Sequence, residues 1–276
     1  MLILAGTPIG NLGDASSRLV DTLRAADIVA CEDTRTTAKL LALLGVTERP
    51  RLIALHEHNE HEAADEVARL AVEQTVVLVS DAGMPAISDP GFRVVRACAD
   101  AGVTVTSVPG PSAVITALAV AGLPTDRFCF EGFVPRKQSE RERLIAQLTD
   151  EPRTTVLYES PHRLATTLDH FAAAWPDRQA VVCRELTKLH EEVRRDTCAE
   201  LARWAAEGVR GEIVVVLAGA EARAASLEDA VAAVLAAAGA GARLKDAAAE
   251  VAARTGLRKR ALYDAALAAR GADDAV

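Results

Sequence analysis

The chain has 276 residues, of which 50% are hydrophobic and 25% charged, enough for two ordinary α/β domains with packed cores. Its net charge of −8 argues against a protein that coats nucleic acid indiscriminately, although it is compatible with a local basic face. The five cysteines are far apart without a CxxC pair, and no apolar run approaches a membrane span, so we expect neither disulfides nor a metal nor a membrane anchor, and a cytoplasmic location.

The N-terminal part of the chain alternates between short apolar runs and polar or glycine-rich loops. Residues 1–5 are predicted to form a strand, and residues 6–14 a loop with three glycines that matches neither GxGxxG nor a P-loop. Ser16 or Ser17 is expected to begin a helix that ends near Ala26. A second strand over residues 27–30 then leads into a loop that carries two acids and an arginine.

A histidine-rich segment follows the next predicted strand, residues 51–55. His58 and Glu62 have the spacing of two ligands on one helix face, which suggests a metal site at first sight. No second cluster of ligands completes the set. The start of a polar helix is therefore the favoured interpretation of this segment.

The most informative stretch is residues 74–91. Residues 75–79 are all apolar or β-branched, which is typical of a strand that is covered on both faces in a parallel sheet. Two glycines and two prolines follow and predict a stiff turn at the carboxyl end of that strand. Open α/β sheets bind ligands in that position, but a tight strand-to-helix connection without a ligand is an equally good interpretation.

The alternation of strand, loop and helix continues through the first half of the chain. A helix over residues 92–101 precedes a strand over residues 103–108, and residues 109–113 begin a long apolar helix. Glycine and proline recur at the strand ends, which predicts a parallel, doubly wound sheet. We therefore place an N-terminal α/β domain at residues 1–122.

A second α/β domain is predicted for residues 123–219, with residues 122–130 as the crossing segment between the domains. It contains a charged helix start at residues 136–143 and strands over residues 154–159, 180–183 and 211–217. The alternation of strands and helices is repeated here with different spacing.

Residues 220–276 form an alanine-rich appendage in which two helices, residues 244–254 and 257–269, are predicted to be joined by a turn that contains glycine. This is the helix-turn-helix pattern. Seven cations face only three acids between residues 243 and 270, a local charge of +4. The appendage could be a solvated hairpin used in dimer packing or a docking face for a phosphate backbone, and the local charge favours the second interpretation.

Six segments in one order carry a resemblance to a known family. They are residues 7–14 (TPIGNLGD), 32–35 (EDTR), 80–91 (SDAGMPAISDPG), 109–113 (PGPSA), 159–163 (ESPHR) and 184–188 (RELTK). Together they resemble the ribosomal RNA small subunit methyltransferase I family of the tetrapyrrole-methylase superfamily. The resemblance covers residues 1 to about 218, and the C-terminal helices match the appendage of that family.

The resemblance implies a fold and an activity. The implied fold is the two-domain α/β fold of the class III methyltransferases, with a cleft between the domains and a helix-turn-helix appendage. The implied reaction transfers a methyl group from S-adenosylmethionine to the ribose 2′-hydroxyl of a cytidine, expected at position 1402 of 16S ribosomal RNA. The implied partners are the small ribosomal subunit and a second copy of the chain in a homodimer.

Site residues are implied in the same way. The cofactor is expected to contact residues of both domains: Ile9, Gly10, Asp81, Ala82, Gly83, Ala86, Ser112, Ala113, Tyr158, Glu159, Leu186, Glu212 and Ile213. A sugar hydroxyl is a poor nucleophile, so we expect help from a base or a cation, with Asp33, Glu185 and Lys188 as the candidates. RNA is expected to contact Arg35, His162, Arg163, Arg258, Lys259 and Arg260. A structural salt bridge is the alternative role of each acid and of Lys188.

Two other functions stay open. A tetrapyrrole methyltransferase acting on a porphyrinogen or precorrin would share the fold and the cofactor. Such enzymes carry a Gly-Asp-Pro turn where this chain has residues 81–85 (DAGMP), and they have no use for a basic appendage. A cofactor-binding assembly factor that docks on the ribosomal subunit without chemistry is the third possibility.

Overall fold

The computed structural model describes residues 1–48, 50–56, 59–221 and 226–273. The chain divides into two compact units, the first made of residues 1–149 and 153–219 and the second of residues 150–152 and 220–276. Glu57 and His58 of the histidine-rich segment lie outside the described residues. Within the described ranges, no helix is long and apolar enough to cross a membrane.

The first unit begins with a five-stranded parallel sheet. Its strands are β1 (Leu2–Ala5), β2 (Ile28–Cys31), β3 (Arg51–Ala54), β4 (Val76–Leu78) and β5 (Val105–Val108), in the order β3-β2-β4-β1-β5. All four neighbouring pairs are parallel. The prediction of a parallel, doubly wound sheet is therefore confirmed, because strands that are covered on both faces read as short, wholly apolar runs.

Helices alternate with these strands: α1 (Ser17–Ala25), α2 (Thr34–Leu43), α3 (Glu60–Glu73), α4 (Phe92–Asp100) and α5 (Ala113–Ala121). Ser16 begins α1 by accepting a hydrogen bond from the Leu19 backbone at 3.0 Å. Two separate buried clusters cover the two faces of the sheet, one centred on α3 and α4 and the other on α1 and α2. The polar segment around Glu60 is thus the start of α3.

A second five-stranded sheet follows in the same unit. It consists of β6 (Phe128–Phe133), β7 (Thr154–Glu159), β8 (Gln179–Arg184), β9 (Glu192–Thr197) and β10 (Ile213–Leu217), in the order β6-β7-β10-β8-β9. Only β6 and β7 are parallel, and the other pairs are antiparallel. The predicted alternation of strands and helices fails between β8 and β9, which a short connection without a helix joins.

Two strands of this sheet are absent from the sequence interpretation. Residues 122–130 were expected to be a crossing segment, yet β6 begins at Phe128 within them. Strand β9 is charged and partly exposed, as an edge strand can be, and so lacks an apolar run. Helices α6 (Gln138–Thr149), α7 (Leu164–Ala174) and α8 (Cys198–Ala205) complete the unit and pack with this sheet around Phe171.

Helix α5 connects the first sheet to the second. Its residues Val114, Ala117 and Leu118 are buried in one cluster with Val156 and Val214 of the second sheet. Small alanine side chains allow the helix to approach the strands closely. Helix α5, the last helix of the first half, therefore packs on the second sheet, and we keep residues 1–122 and 123–219 as the proposed domain limits.

The second unit contains α9 (Leu227–Gly239), α10 (Leu244–Thr255) and α11 (Lys259–Asp273), packed around buried Val234, Val251 and Leu262. Gly256 ends α10 with a left-handed φ of 72°, the usual conformation after the last turn of a helix. The predicted helix-turn-helix is confirmed. The seven cations between residues 243 and 270 are all exposed.

Candidate functional site

Loops from the first sheet meet at the carboxyl ends of its central strands. Thr7 after β1 and Gly83 after β4 exchange backbone hydrogen bonds of 2.9 and 3.2 Å. The Thr7 hydroxyl is fully buried and donates to the Ser80 carbonyl at 3.2 Å. The turn after β4, predicted from its glycines and prolines, is thus fixed against the loop after β1.

The same turn holds unusual backbone conformations. Ala86 and Ser88 have φ values of 68° and 61°, in the left-handed region that residues with a Cβ rarely adopt. Glu60 of α3 supports the end of the turn, since its carboxylate accepts hydrogen bonds from the backbone of Gly91 at 2.9 Å and Arg93 at 3.1 Å. Strain that is held in place in this way is common where a loop contacts a ligand.

A cavity of about 630 Å³ opens beside this turn and reaches the second sheet. The first sheet contributes Ile9, Ala82, Gly83, Met84, Ile87, Ser88, Asp89, Ser112 and Ala113 to its lining. The second contributes Phe133, Tyr158, Glu159, Ser160, Pro161, Glu185, Leu186, Gly211, Glu212, Ile213 and Val214. Its size is that of a small-molecule site, and its lining is mainly apolar with a few carboxylates.

Tyr158 of β7 connects the sheets across the cavity. Its hydroxyl has a hydrogen bond with the Val114 backbone at the start of α5. Burial, and to a smaller extent the carboxylates of Asp89 and Glu212, raise the pKa of Tyr158 to about 12. Tyr158 therefore keeps its proton at neutral pH and cannot serve as a base there.

Three charged side chains form a network at one side of the cavity. Lys188 Nζ lies 3.0 Å from Glu185 Oε1 and 3.1 Å from Glu212 Oε1. Burial lowers the pKa of Lys188, but its bonds to the two carboxylates outweigh that effect and leave the pKa raised. The pKa of Glu185 is lowered by hydrogen bonds from the Glu212 backbone and from Lys188. Both shifts favour the charged forms of Lys188 and Glu185, which lie side by side in the network.

Backbone geometry brings this network against the first sheet. A Cβ on Gly10, in the loop after β1, would lie 2.5 Å from Cγ of Lys188, so only glycine allows that side chain to pass. Glu185 and Thr187 have left-handed φ values of 52° and 67°. Among the residues that the structure describes, no group of three or more His, Cys, Asp or Glu could hold a metal ion.

Asp89 is the other carboxylate with an unusual environment. Burial raises the pKa of Asp89 to about 6, and the nearby Glu32 and Asp81 add to the rise while a hydrogen bond with Ser80 opposes it. The group is half-buried and lines the cavity. A carboxylate that is costly to ionise in this way gains from a cation placed beside it.

Glu159 lines the cavity but is committed to other contacts. Its carboxylate accepts from the Ser160 backbone at 2.6 Å and the Thr167 hydroxyl at 2.5 Å, and pairs with Arg163 at 2.5 Å. Arg163 also donates to the Val134 carbonyl at 3.0 Å. These contacts hold β7 to the start of α7, so the structure favours the structural ion pair as the role of Glu159, and it engages Arg163 in that pair in place of the predicted RNA contact.

The predicted site residues of the first unit divide into two groups. Eleven line the cavity: Ile9, Ala82, Gly83, Ser112, Ala113, Tyr158, Glu159, Glu185, Leu186, Glu212 and Ile213. Eight others from the first unit do not: Gly10, Asp33, Arg35, Asp81, Ala86, His162, Arg163 and Lys188. Of these eight, Lys188 is held at the cavity by its two carboxylate partners.

Asp33 is placed poorly for proton transfer. It precedes α2, accepts a hydrogen bond from the Arg35 backbone at 2.8 Å and pairs with the Arg35 side chain at 2.8 Å. Hydrogen bonds from Arg35 lower the pKa of Asp33 to about 2. Asp33 does not line the cavity and its carboxylate is engaged by Arg35, so the geometry argues against Asp33 as a catalytic residue.

Sequence reasoning missed several lining residues, above all Ile87, Asp89 and Phe133. Asp89 lies in the quoted segment 80–91 and could have been found there as an acid in a stiff turn. Phe133 carried no signal, because β6 itself was not predicted. Ser112 lies at the first position before α5, as expected, but its side chain makes no capping hydrogen bond.

Comparisons with known proteins identify the family. A model of the "Tetrapyrrole (Corrin/Porphyrin) Methylases" matches residues 1–202, and a model of the "RsmI C-terminal HTH domain" matches residues 225–270. The ribosomal RNA small subunit methyltransferase I of Mycobacterium tuberculosis is 52% identical over 98% of this chain and 95% of its own. The chain belongs to the ribosomal RNA small subunit methyltransferase I family.

This family assignment agrees with more distant relatives. The Escherichia coli O157:H7 member is 43% identical over 98% of this chain and 96% of its own. Among solved structures, diphthine synthase has a TM-score of 0.60 with 20% identity, covering 79% of this chain and 89% of that one. A Thermus thermophilus uroporphyrin-III-C-methyltransferase has a TM-score of 0.55 with 18% identity, covering 79% and 93%. These likenesses show the class III methyltransferase fold.

Proposed function

We propose that this protein transfers a methyl group from S-adenosylmethionine to the ribose 2′-hydroxyl of a cytidine in small-subunit ribosomal RNA, with cytidine 1402 as the expected target. The observation that carries the proposal is the mainly apolar cavity between the sheets with an ammonium–carboxylate network at one side. The family supplies the substrate class. We expect the enzyme to act in the cytoplasm as a homodimer.

The cavity fits such a cofactor chemically. When bound, S-adenosylmethionine supplies an electrophilic methyl group on a positively charged sulfur. Ala82 and Gly83 line the cavity with little side-chain bulk, Ile9 and Ile213 offer apolar contact, and Asp89 offers a negative charge that is poorly compensated. Side chains without bulk or positive charge are what a purine and a sulfonium require. Gly10, Asp81 and Ala86 remain proposed contacts on the family resemblance alone.

Proton removal from the ribose hydroxyl falls to the network at the cavity. We assign the acceptor to Glu185, which lines the cavity as a carboxylate, and the positive charge to Lys188, which stabilises the negative charge that develops on oxygen. Glu185 is a weak base because its pKa is lowered. Precise positioning of the hydroxyl must therefore supply much of the rate enhancement.

RNA contacts are assigned to exposed Arg, Lys and His side chains in both units. Arg258, Lys259 and Arg260 are consecutive and exposed at the start of α11. In the first unit, Arg35 has a side chain that is 90% exposed and His162 is exposed. Exposed cations bind phosphate mainly by releasing counterions, so these contacts should be sensitive to salt.

The direct test is methylation of small subunits from a strain that lacks this gene. Purified protein and S-adenosylmethionine should protect one phosphodiester of 16S ribosomal RNA from alkaline hydrolysis, because a 2′-O-methyl group removes the attacking hydroxyl. A site of protection at a cytidine is the expected result. Methylation of a porphyrinogen in place of RNA, or cofactor binding without transfer to either, would establish one of the other two functions.

Replacing Arg258, Lys259 and Arg260 by alanine should weaken RNA binding and leave cofactor affinity unchanged. Each lost phosphate contact is expected to reduce the slope of log K against log salt by about 1, so the slope should fall by about 3. The matched control replaces Arg24, Arg96 and Arg203, three exposed cations that do not line the cavity. Equal effects of the two triple variants would show that α11 has no special role.

Asp89 should make cofactor binding depend on pH. Its pKa of about 6 means that the carboxylate gains its charge as the pH rises through 6, so affinity for the sulfonium cofactor should increase between pH 5 and pH 7.5, by up to about tenfold. S-adenosylhomocysteine has a neutral sulfur and should show little of this increase. Calorimetric titrations of both ligands across this pH range, repeated with Asp89→Asn, measure the change in affinity. An unchanged pH dependence in that variant would contradict the assignment.

The same group should affect stability in the opposite direction. Because the pKa of Asp89 is raised above its ordinary value of 3.8, the folded state binds more protons than the unfolded state between about pH 4 and 6. The contribution of Asp89 to the free energy of unfolding therefore decreases as the pH rises through that window. Better binding at higher pH thus accompanies a less stable free protein.

A further inference from the structure

Aromatic side chains are concentrated at one edge of the cavity. Aromatics make up only 3% of the chain, yet three of them, Phe130, Tyr158 and Phe133, form one contiguous row. The ring centroids of Phe130 and Tyr158 are 5.0 Å apart, and those of Tyr158 and Phe133 are 5.3 Å apart. Phe130 and Tyr158 are partly buried, whereas Phe133 is 58% exposed.

A β-bulge directs Phe133 to this position. Phe130 pairs with Val156 and Phe133 pairs with Tyr158, so three steps along β6 match two steps along β7. Without the extra residue, Phe133 would lie on the face of the sheet opposite to Phe130, because successive strand residues alternate between faces. Gly132 adopts a left-handed φ of 69° within the bulge. Bulges beside active sites commonly re-aim a side chain in this way.

The bulge also lies against the turn after β4. A Cβ on Gly132 would lie 3.7 Å from the Ser88 hydroxyl oxygen. Ile87, the neighbour of Ser88, is 51% exposed and lines the cavity as Phe133 does. Each sheet therefore presents one exposed large apolar side chain at the cavity. Exposed apolar side chains that share one concave site usually mark a contact with a ligand.

We propose that Phe133 stacks on the nucleobase of the ribose that is methylated, and that Ile87 provides an apolar contact at the same base. An enzyme that reacts with one nucleotide must hold it out of its neighbours' stack, and aromatic rings commonly replace the lost stacking of single-stranded bases. The exposed Arg136, three residues after Phe133, has no ion-pair partner among the described residues and can reach an adjoining phosphate. The inference rests on the proposed function.

A base stack explains these features better than a contact with cofactor. The inner members of the row, Phe130 and Tyr158, pack against the core between α5 and the second sheet. The outer member, Phe133, faces solvent. Phe133 is the member of the row that a substrate arriving from outside would meet first. The outer face of Phe133 is therefore suited to a base delivered on an RNA strand.

Substitution of Phe133 tests the proposal on small subunits with the full-length protein. Phe133→Leu should reduce kcat/KM by roughly 10- to 100-fold, the range that loss of one aromatic stack gives, and Phe133→Trp should retain it within about threefold. Cofactor affinity, measured separately, should be unchanged in both variants. Phe92→Leu is the matched control, because Phe92 is 66% exposed and does not line this cavity.

A second measurement reports on the base itself. A fluorescent cytosine analogue placed at the methylated position of reconstituted subunits should be quenched by the wild-type protein and not by Phe133→Leu. An unchanged kcat/KM, equal quenching by both proteins, or a loss confined to cofactor affinity would each overturn the proposal. If the wild-type protein methylates no subunits at all, the proposed function fails instead, which keeps the two failures distinct.

Discussion

Lys188→Met should lower kcat for RNA methylation by about 100-fold or more while cofactor affinity stays within about threefold. The ammonium is held by two carboxylates at 3.0 and 3.1 Å, and methionine retains the unbranched apolar stem without the charge. Removing one preorganised charge from a transition state that develops charge typically costs 10²–10³ in kcat. Single-turnover methylation, with cofactor binding measured by calorimetry, separates the two quantities.

A pH profile distinguishes this role from a structural one. Lys188 is one of the groups that lower the pKa of Glu185, so its removal should shift the acid limb of the rate profile to higher pH. Arg203→Met is the matched control, since Arg203 pairs with Glu200 three residues before it, as Lys188 pairs with Glu185. A Lys188→Met protein with normal kcat and an unshifted profile would show that the network only supports the loop.

Most of the first sheet was predicted from the sequence because each of its strands can be recognised from a short local pattern. Covered parallel strands are continuous apolar runs, and the glycines and prolines that follow them can be read directly. The second sheet was predicted less well. Strand β9 is a charged edge strand and β6 contains a bulge, so neither shows a simple period. Their pairing depends on contacts far along the chain that a local pattern does not contain.

The candidate site divides in the same way. Glu185 and Glu212 were found from the family segments and from strand ends, and the structure places both at the cavity. The pairing of Asp33 with Arg35 is local, two residues apart, but an acid in a loop gives the same signal whether it is paired or free. Phe133 depends on one extra residue in β6, which decides the face of the sheet on which its ring lies. The sequence therefore could not show how far each side chain is buried or in which direction it points.

Gly110→Ala should reduce methylation about 100-fold and lower the free energy of unfolding by about 1–3 kcal/mol. A Cβ on Gly110 would lie 2.6 Å from the Gly6 carbonyl oxygen, and one on Gly6 would lie 2.7 Å from Cα of Gly110. The loops after β1 and β5 therefore cross backbone to backbone. Rotation of a side chain cannot relieve either contact, so the two loops must move apart. That movement displaces Ile9 and Ser112 at the cavity.

This prediction follows from the position of the crossing in the fold. Thr7, the neighbour of Gly6, is bonded to the turn after β4, so a displaced β1 loop also displaces that turn. Thermal unfolding and cofactor titration should therefore both change in Gly110→Ala. Gly239→Ala is the matched control, because a Cβ there has no neighbour within 4 Å and alanine favours the helix. A Gly110→Ala protein with wild-type affinity and stability would mean that the two loops separate without disturbing the site.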